Sequence, residues 1–241
     1  MMTVYNDILS AKATKKKLLA ILIDPDKFDV NLIAQFVNKI SESIITHIFV
    51  GGSTVEVEVT QKLVSALKPL TKLPIVLFPG DVTQISKDAD AILFLSLISG
   101  RNPKYLIEKQ IEAVSILKQT NLEVIPTGYI LIENGIETAV QKVTNTLPIP
   151  TALQSLVADT AKAGELLGKK LIYLEAGSGA LFPVPLDMIS FVNQDLKIPL
   201  IVGGGIRTIQ QLDDAYKAGA DLVVIGTAFE NNKDFFNELK R

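Results

Sequence analysis

The chain contains no cysteine, and that one absence removes several chemistries together: disulfides, thiolate-ligated metals and cysteine nucleophiles. It has a single histidine, His47, so any Ser–His catalytic pair would depend on that residue alone. His47 opens an apolar run, a place that suits a structural role. An excess of charge of one sign is also missing. The formal net charge is -2, and no basic cluster is larger than Lys15–Lys16–Lys17, which solvates the start of the first strand. A nucleic-acid partner is therefore not expected. No apolar signal segment opens the chain, and no run approaches the roughly 20 apolar residues of a membrane span. The expected location is cytoplasmic.

What the sequence does have is alternation. The chain is 241 residues long and 48% hydrophobic, enough for one large core with strands buried on both faces. Apolar β-runs fall at 18–24, 47–53, 73–80, 91–100, 122–132, 169–180, 199–205 and 222–226. Between them the spacing predicts helices at 31–43, at 55–70 with Thr54 as N-cap, from Pro103 onward, and at 151–167, 184–196 and 209–220. A leading helix covers 3–13 and a closing one 231–241. Residues 81–90 are too few for a full crossover between parallel strands, so the third helix should be short or irregular. The connection 133–150 is long, and Pro148 and Pro150 forbid a continuous helix through it; such loops are usually functional or mobile. The pattern predicts an α/β fold, a single (β/α)8 TIM barrel over 1–241. A doubly wound sheet is the rival, disfavoured because no glycine fingerprint follows the first strand.

Two stretches carry the functional signal, IVGGGIRT at 201–208 and VVIGTAF at 223–229. Each is a buried strand that ends in glycine and opens into a helix. Glycine runs are costly on folding, and they make sense where backbone N–H groups must approach a ligand. A phosphate at a helix N-terminus is the commonest such ligand, and loops after strands 7 and 8 are where (β/α)8 barrels place it. The plainer alternative is that the glycines only make tight turns. In YLEAGSG, Tyr173 and Glu175 are two apart and share one face of their strand, while Leu174 points to the helices. Glu175 at a barrel mouth is a candidate general base or hydroxyl anchor. The phosphate would meet N–H groups from Gly177 to Gly179, from Gly204 and Gly205, and from Gly226 and Thr227.

The other polar residues at strand ends are Asp24, Asp26, Lys27, Ser53, Thr54, Asp81, Ser96, Ser99, Thr127, Tyr129, Ser178 and Arg207. Asp24 can hold a hard cation through oxygen, with Ser53 giving a hydroxyl to the same ion; Mg²⁺ takes one or two carboxylates and leaves the rest to water and phosphate. A DPD sequence also makes plain turns. No lysine lies mid-strand facing the mouth, which argues against Schiff-base chemistry. Phe78, Phe94, Leu95, Leu97, Ile98 and the 130–132 run surround the place where the third helix is missing. They are either ordinary core or the wall of a groove for a hydrocarbon.

Taken together, ILIDPDK, FVGGST, LFPGD, LSLISGRNP, VIPTGYILIENG, IYLEAGSGA, IVGGGIRT and VIGTAFE resemble the geranylgeranylglyceryl phosphate synthase family, the PcrB-like prenyltransferases. The resemblance spans nearly the whole chain, and LISGRNP and PTGYILIENG look like the longer of the family's two groups. It implies transfer of a prenyl group from geranylgeranyl diphosphate, or a similar prenyl diphosphate, to the 3-hydroxyl of sn-glycerol 1-phosphate. The product would be an ether-lipid precursor. It also implies Mg²⁺ at Asp24 and Ser53, and glycerol phosphate along Tyr173, Leu174, Glu175, Ala176, Gly177, Ser178 and Gly179. Gly204, Gly205, Gly226 and Thr227 would form the phosphate loops, and Glu175 with Tyr173 beside it would do the catalytic work. Dimers or hexamers, and at most transient membrane-surface contact for product release, follow from the same likeness. Two alternatives stay open: a sugar-phosphate isomerase or lyase on the same barrel, and a phosphate-sensing module without catalysis.

Overall fold

Eight largely buried strands pair in parallel and in chain order until β8 returns to β1. A computed structural model describes residues 3–226 and 238–240. The strands are β1 (Leu18–Ile23), β2 (His47–Val50), β3 (Ile75–Leu77), β4 (Ala91–Leu97), β5 (Glu123–Leu131), β6 (Leu171–Glu175), β7 (Leu200–Gly203) and β8 (Leu222–Ile225). The helices are α1 (Val4–Thr14), α2 (Ile33–Ser41), α3 (Val59–Leu67), α4 (Lys109–Leu117), α5 (Ala139–Thr144), α6 (Gln154–Leu166), α7 (Leu186–Asp195) and α8 (Ile209–Ala218). The predicted (β/α)8 barrel is the fold observed. Most of the closing helix expected at 231–241 lies outside the described residues, as does Thr227.

The period of two along each strand sorts the core into two layers. Leu174, Ile172, Val202 and Val223 point outward against the helices. Phe49, Val76, Leu93, Tyr129, Tyr173, Ile201 and Val224 fill the barrel interior. Val4, Ile8 and Ala11 of α1 belong to that inner group, so the leading helix stoppers the floor of the barrel. Thr3 caps it, accepting from the Asn6 N–H at 3.3 Å.

Between β3 and β4 there is only a short 3₁₀ turn, Val82–Gln84, as the ten-residue spacer requires. Its last residue is a clamp. Gln84 is buried; its Oε1 accepts from the N–H groups of Gly52 (3.2 Å) and Gly80 (3.3 Å), and its Nε2 donates to the Gly52 carbonyl at 2.8 Å. The turns after β2 and β3 are thus tied together by one side chain.

One expectation fails locally. Thr54 does not cap a helix: α3 starts at Val59 after Glu58 in a left-handed conformation, with no side-chain cap. The intervening residues instead wrap against the turn after β1, where the Glu56 N–H donates to the Asp26 carboxylate at 3.2 Å. The 133–150 connection holds no continuous helix, as its prolines require, but does contain one short helix. Thr138 accepts from the Gln141 N–H at 3.3 Å and starts α5; Asn145, left-handed at φ 47°, ends it. A π-helical turn, Lys104–Glu108, precedes α4. Among the described residues no helix is long and apolar enough to cross a membrane.

Candidate active site

The strand ends of the barrel open into a cleft of about 310 Å³. Of the residues singled out above, Asp24, Ser53, Tyr173, Glu175, Gly177, Ser178, Gly179, Gly204, Gly205 and Gly226 all line it. Leu174 and Ala176 do not: their side chains pack in the outer layer, so only their main chain can face a ligand. Ser96 and Thr127 are strand-end candidates that the cleft excludes. Ser96 is buried and accepts from the Lys169 ammonium at 2.7 Å; Thr127 is buried and donates to the Ile125 carbonyl at 2.9 Å.

Glu175 is the charged centre of the cleft. It is buried, and burial pushes its carboxyl up from the usual glutamate range, against the opposing pull of Tyr173 and of the Gly177 N–H. That N–H donates to Oε1 at 2.6 Å. The main-chain donor of Gly177 is thus taken up by the carboxylate in this structure, which the sequence could not reveal. β7 and the turn after it make room for the acid. A Cβ on Gly203 would lie 2.9 Å from Oε2 and closer still to the Tyr173 hydroxyl; one on Gly204 (φ 83°) would lie 2.5 Å from Oε1. Any side chain there displaces the carboxylate. The first two residues of GGG are thus required by their neighbours' side chains as well as by the turn.

The Tyr173 hydroxyl is buried beside the Glu175 carboxylate, its polar neighbour, and Tyr173 lines the cleft. Burial and the Glu175 charge push the phenol far up, so it stays a neutral donor. Arg207 braces the turn after β6: its guanidinium donates to the carbonyls of Ala180 and of Leu181, the latter at 3.2 Å.

Across the cleft, Asp24 pairs with Lys27 at 2.7 Å and accepts from the Asp26 N–H at 3.2 Å. A Cβ on Gly52 would sit 3.3 Å from Asp24 Oδ1, so the carboxylate and the turn carrying Ser53 are adjacent. Among the described residues no group of three or more His, Asp or Glu side chains converges as a metal cage. Asp24 and Ser53 offer the sparse oxygen set that suits a cation completed by water and phosphate.

Where the third helix is missing, a second cavity of about 120 Å³ runs between β3, β4, α4 and α5. Ile85, Leu93, Phe94, Leu95, Leu97 and Ala113 help to form its largely apolar wall. Of the two readings left open for the apolar residues here, Phe78, Phe94, Leu95 and Leu97 line a groove, whereas Ile130, Leu131 and Ile132 are ordinary core. Gly52, Ser53, Phe78, Tyr129 and Val140 line both cavities, so cleft and slot meet there. At the mouth of the slot, burial alone would raise Asp81, but the hydrogen bond and charge of Lys109, 2.9 Å away, together with the Thr83 N–H, hold it below the usual carboxylate range. Val140 and Ala139 come from α5, which the sequence reading missed. The signal was there: Thr138-Ala-Val-Gln141 is a capping-box pattern.

Fold and cleft together define a (β/α)8 barrel of the class whose last three strands end in glycine turns, here joined to an apolar side slot. Comparison then makes the assignment: residues 11–241 match the model of the PcrB family, and the chain belongs to that family. A geranylgeranylglyceryl phosphate synthase of Flavobacterium johnsoniae is 59% identical over 98% of this chain and 97% of its own length. One of Thermococcus kodakarensis is 45% identical over 91% and 86%. Among solved structures, the (S)-3-O-geranylgeranylglyceryl phosphate synthase of Thermoplasma acidophilum, in complex with sn-glycerol-1-phosphate, superposes with a TM-score of 0.92 at 33% identity, covering 99% of this chain and 96% of that one.

Proposed function

We propose that this chain is a prenyltransferase that joins the 3-hydroxyl of sn-glycerol 1-phosphate to C1 of geranylgeranyl diphosphate, or of a similar prenyl diphosphate, with release of diphosphate. The observation that carries the reading is the junction: a cleft of glycine turns and one buried carboxylate opens directly into an apolar slot. A sugar-phosphate isomerase or lyase would use the cleft and have no use for the slot.

The geometry supports the following roles. With the Gly177 N–H committed, the phosphate falls to the turns at Gly179, Gly204 and Gly205, with Gly226 and Thr227 as expected partners across the cleft. The turn after β6, braced by Arg207, gives that seat its shape. Glu175 receives the proton of the attacking hydroxyl, and the Tyr173 hydroxyl, beside the carboxylate, turns to donate to the glycerol. The slot takes the hydrocarbon and keeps water from the reacting carbon. Mg²⁺ belongs to the proposal: Asp24 and Ser53 would hold it, Asp24 exchanging its Lys27 partner for the ion. Bound there, it would neutralise the leaving diphosphate. A homo-oligomer, a dimer or a hexamer, in the cytoplasm completes the reading, with membrane contact no more than transient.

The test is to incubate the protein with sn-glycerol 1-phosphate and a mixture of prenyl diphosphates of several lengths, then identify products by mass spectrometry. A prenyl ether of glycerol phosphate is expected. Unreacted substrates under all conditions would overturn the assignment.

A further inference from the structure

Three aromatic rings meet at the junction of cleft and slot. Phe78 stacks on Tyr173 with centroids 5.3 Å apart and planes 30° apart. Tyr129 lies 5.5 Å from Tyr173 in an edge-on arrangement and 5.9 Å from Phe78. Tyr173 and Tyr129 are buried, while Phe78 keeps part of its surface open. Phe78 and Tyr129 are the aromatic residues that line both cavities. Among the described residues, the ammonium groups that sit over rings do so at Tyr216, Tyr105 and Tyr5, not at this cluster. Burial and the Glu175 charge keep both phenols protonated, so the rings present neutral, electron-rich faces.

The reacting carbon of a prenyl diphosphate is the atom that joins its charged and apolar halves. It must therefore rest where a polar cleft passes into an apolar slot, and here that is beside Phe78 and Tyr129. A ring face attracts positive charge through its quadrupole, more strongly when water is excluded. We propose that Phe78, supported by Tyr129 and Tyr173, stabilises the positive charge that grows on the allylic C1 as the diphosphate departs. The step balances. The C1–O bond breaks and its electron pair leaves with the diphosphate. A lone pair of the glycerol 3-oxygen forms the new C1–O bond, and the hydroxyl proton passes to the Glu175 carboxylate. Without this role the cluster is core packing, which would be indifferent to the electron density of the rings.

The proposal rests on the prenyl-transfer reading, and its test separates the two. Phe78 is replaced by mono-, di- and trifluorophenylalanine, which thin the ring face at nearly constant shape, and by leucine. Single-turnover rates are measured with geranylgeranyl diphosphate and sn-glycerol 1-phosphate. The rate should fall stepwise with fluorine number, about three- to thirtyfold across the series, the size of a desolvated cation–π contact. Glycerol phosphate affinity should stay within about twofold. A binding measurement guards against misfolded variants: a prenyl ammonium ion, probed with inorganic diphosphate, should lose its advantage over the neutral prenyl alcohol in the trifluoro and Phe78→Leu proteins. Equal rates across the fluorine series, or an unchanged ammonium preference, would overturn the role of Phe78 while leaving prenyl transfer intact. A wild-type protein inert toward the substrate pair would sink the transfer reading, and this step with it.

Discussion

Glu175 shows how a residue's chemistry is set by what surrounds it. Its carboxylate is buried, held by one main-chain N–H, and cradled by two glycines that leave no room for a Cβ. Replacing it by glutamine keeps the shape and removes the proton acceptor. Glu175→Gln is expected to lower turnover at least about a hundredfold, the usual scale of general-base loss, with binding of glycerol phosphate retained; near wild-type turnover would end the base role. The pH dependence has a definite sign. A base works deprotonated, and burial raises this carboxyl, so the acidic limb of the rate profile should lie above the ordinary glutamate range. The limb should vanish in Glu175→Gln. Tyr173 and Glu175 were legible from their two-residue spacing on a strand. The loss of the Gly177 N–H to the carboxylate was not, because it depends on how the turn after β6 folds back on the end of its own strand.

At the scale of elements, strand order and helix placement were legible because the period of two and the period of 3.6 are local signals. The short third crossover could be read from residue count alone. The failures came where tertiary contacts decide. Thr54 has the right chemistry for a cap, yet its segment is drawn instead to Asp26 and the turn after β1. The helix α5 was hidden by the prolines that follow it, although Thr138 and Gln141 announced its start. Gln84 carried no signal at all. A lone glutamine in a short spacer reads as surface, but in the fold it satisfies both main-chain groups of Gly52 and the N–H of Gly80. Gln84→Leu leaves those three groups without their partner. At roughly 1–3 kcal/mol for each fully buried group left unsatisfied, three such groups would cost about 3–9 kcal/mol; these are only part-buried, so the low end, about 3 kcal/mol, is expected, and denaturant unfolding would measure it. A loss below about 0.5 kcal/mol would mean that the turns after β2 and β3 hold their shape without it.

For the molecule as a whole, the division of labour is between two hollows with one shared border. The polar hollow was foreseeable from its glycines. The apolar one was foreseeable only as a choice between groove and core, because periodicity cannot distinguish a wall from a filling. The proposed cation belongs at the border, since Asp24 and Ser53 both face the polar hollow and Ser53 faces the apolar one too. Chelation by EDTA is therefore expected to abolish activity, and Mg²⁺ to restore it. Full activity after exhaustive chelation would remove Asp24 and Ser53 from any metal role.

The turn that stands in for a third helix has a last effect. It opens a door in the flank of the barrel, while the glycine turns are reached from above. On the proposed reading the oily tail would lie in the side hollow and the small polar acceptor in the upper one, so that the two halves of the reaction meet only at the shared rim.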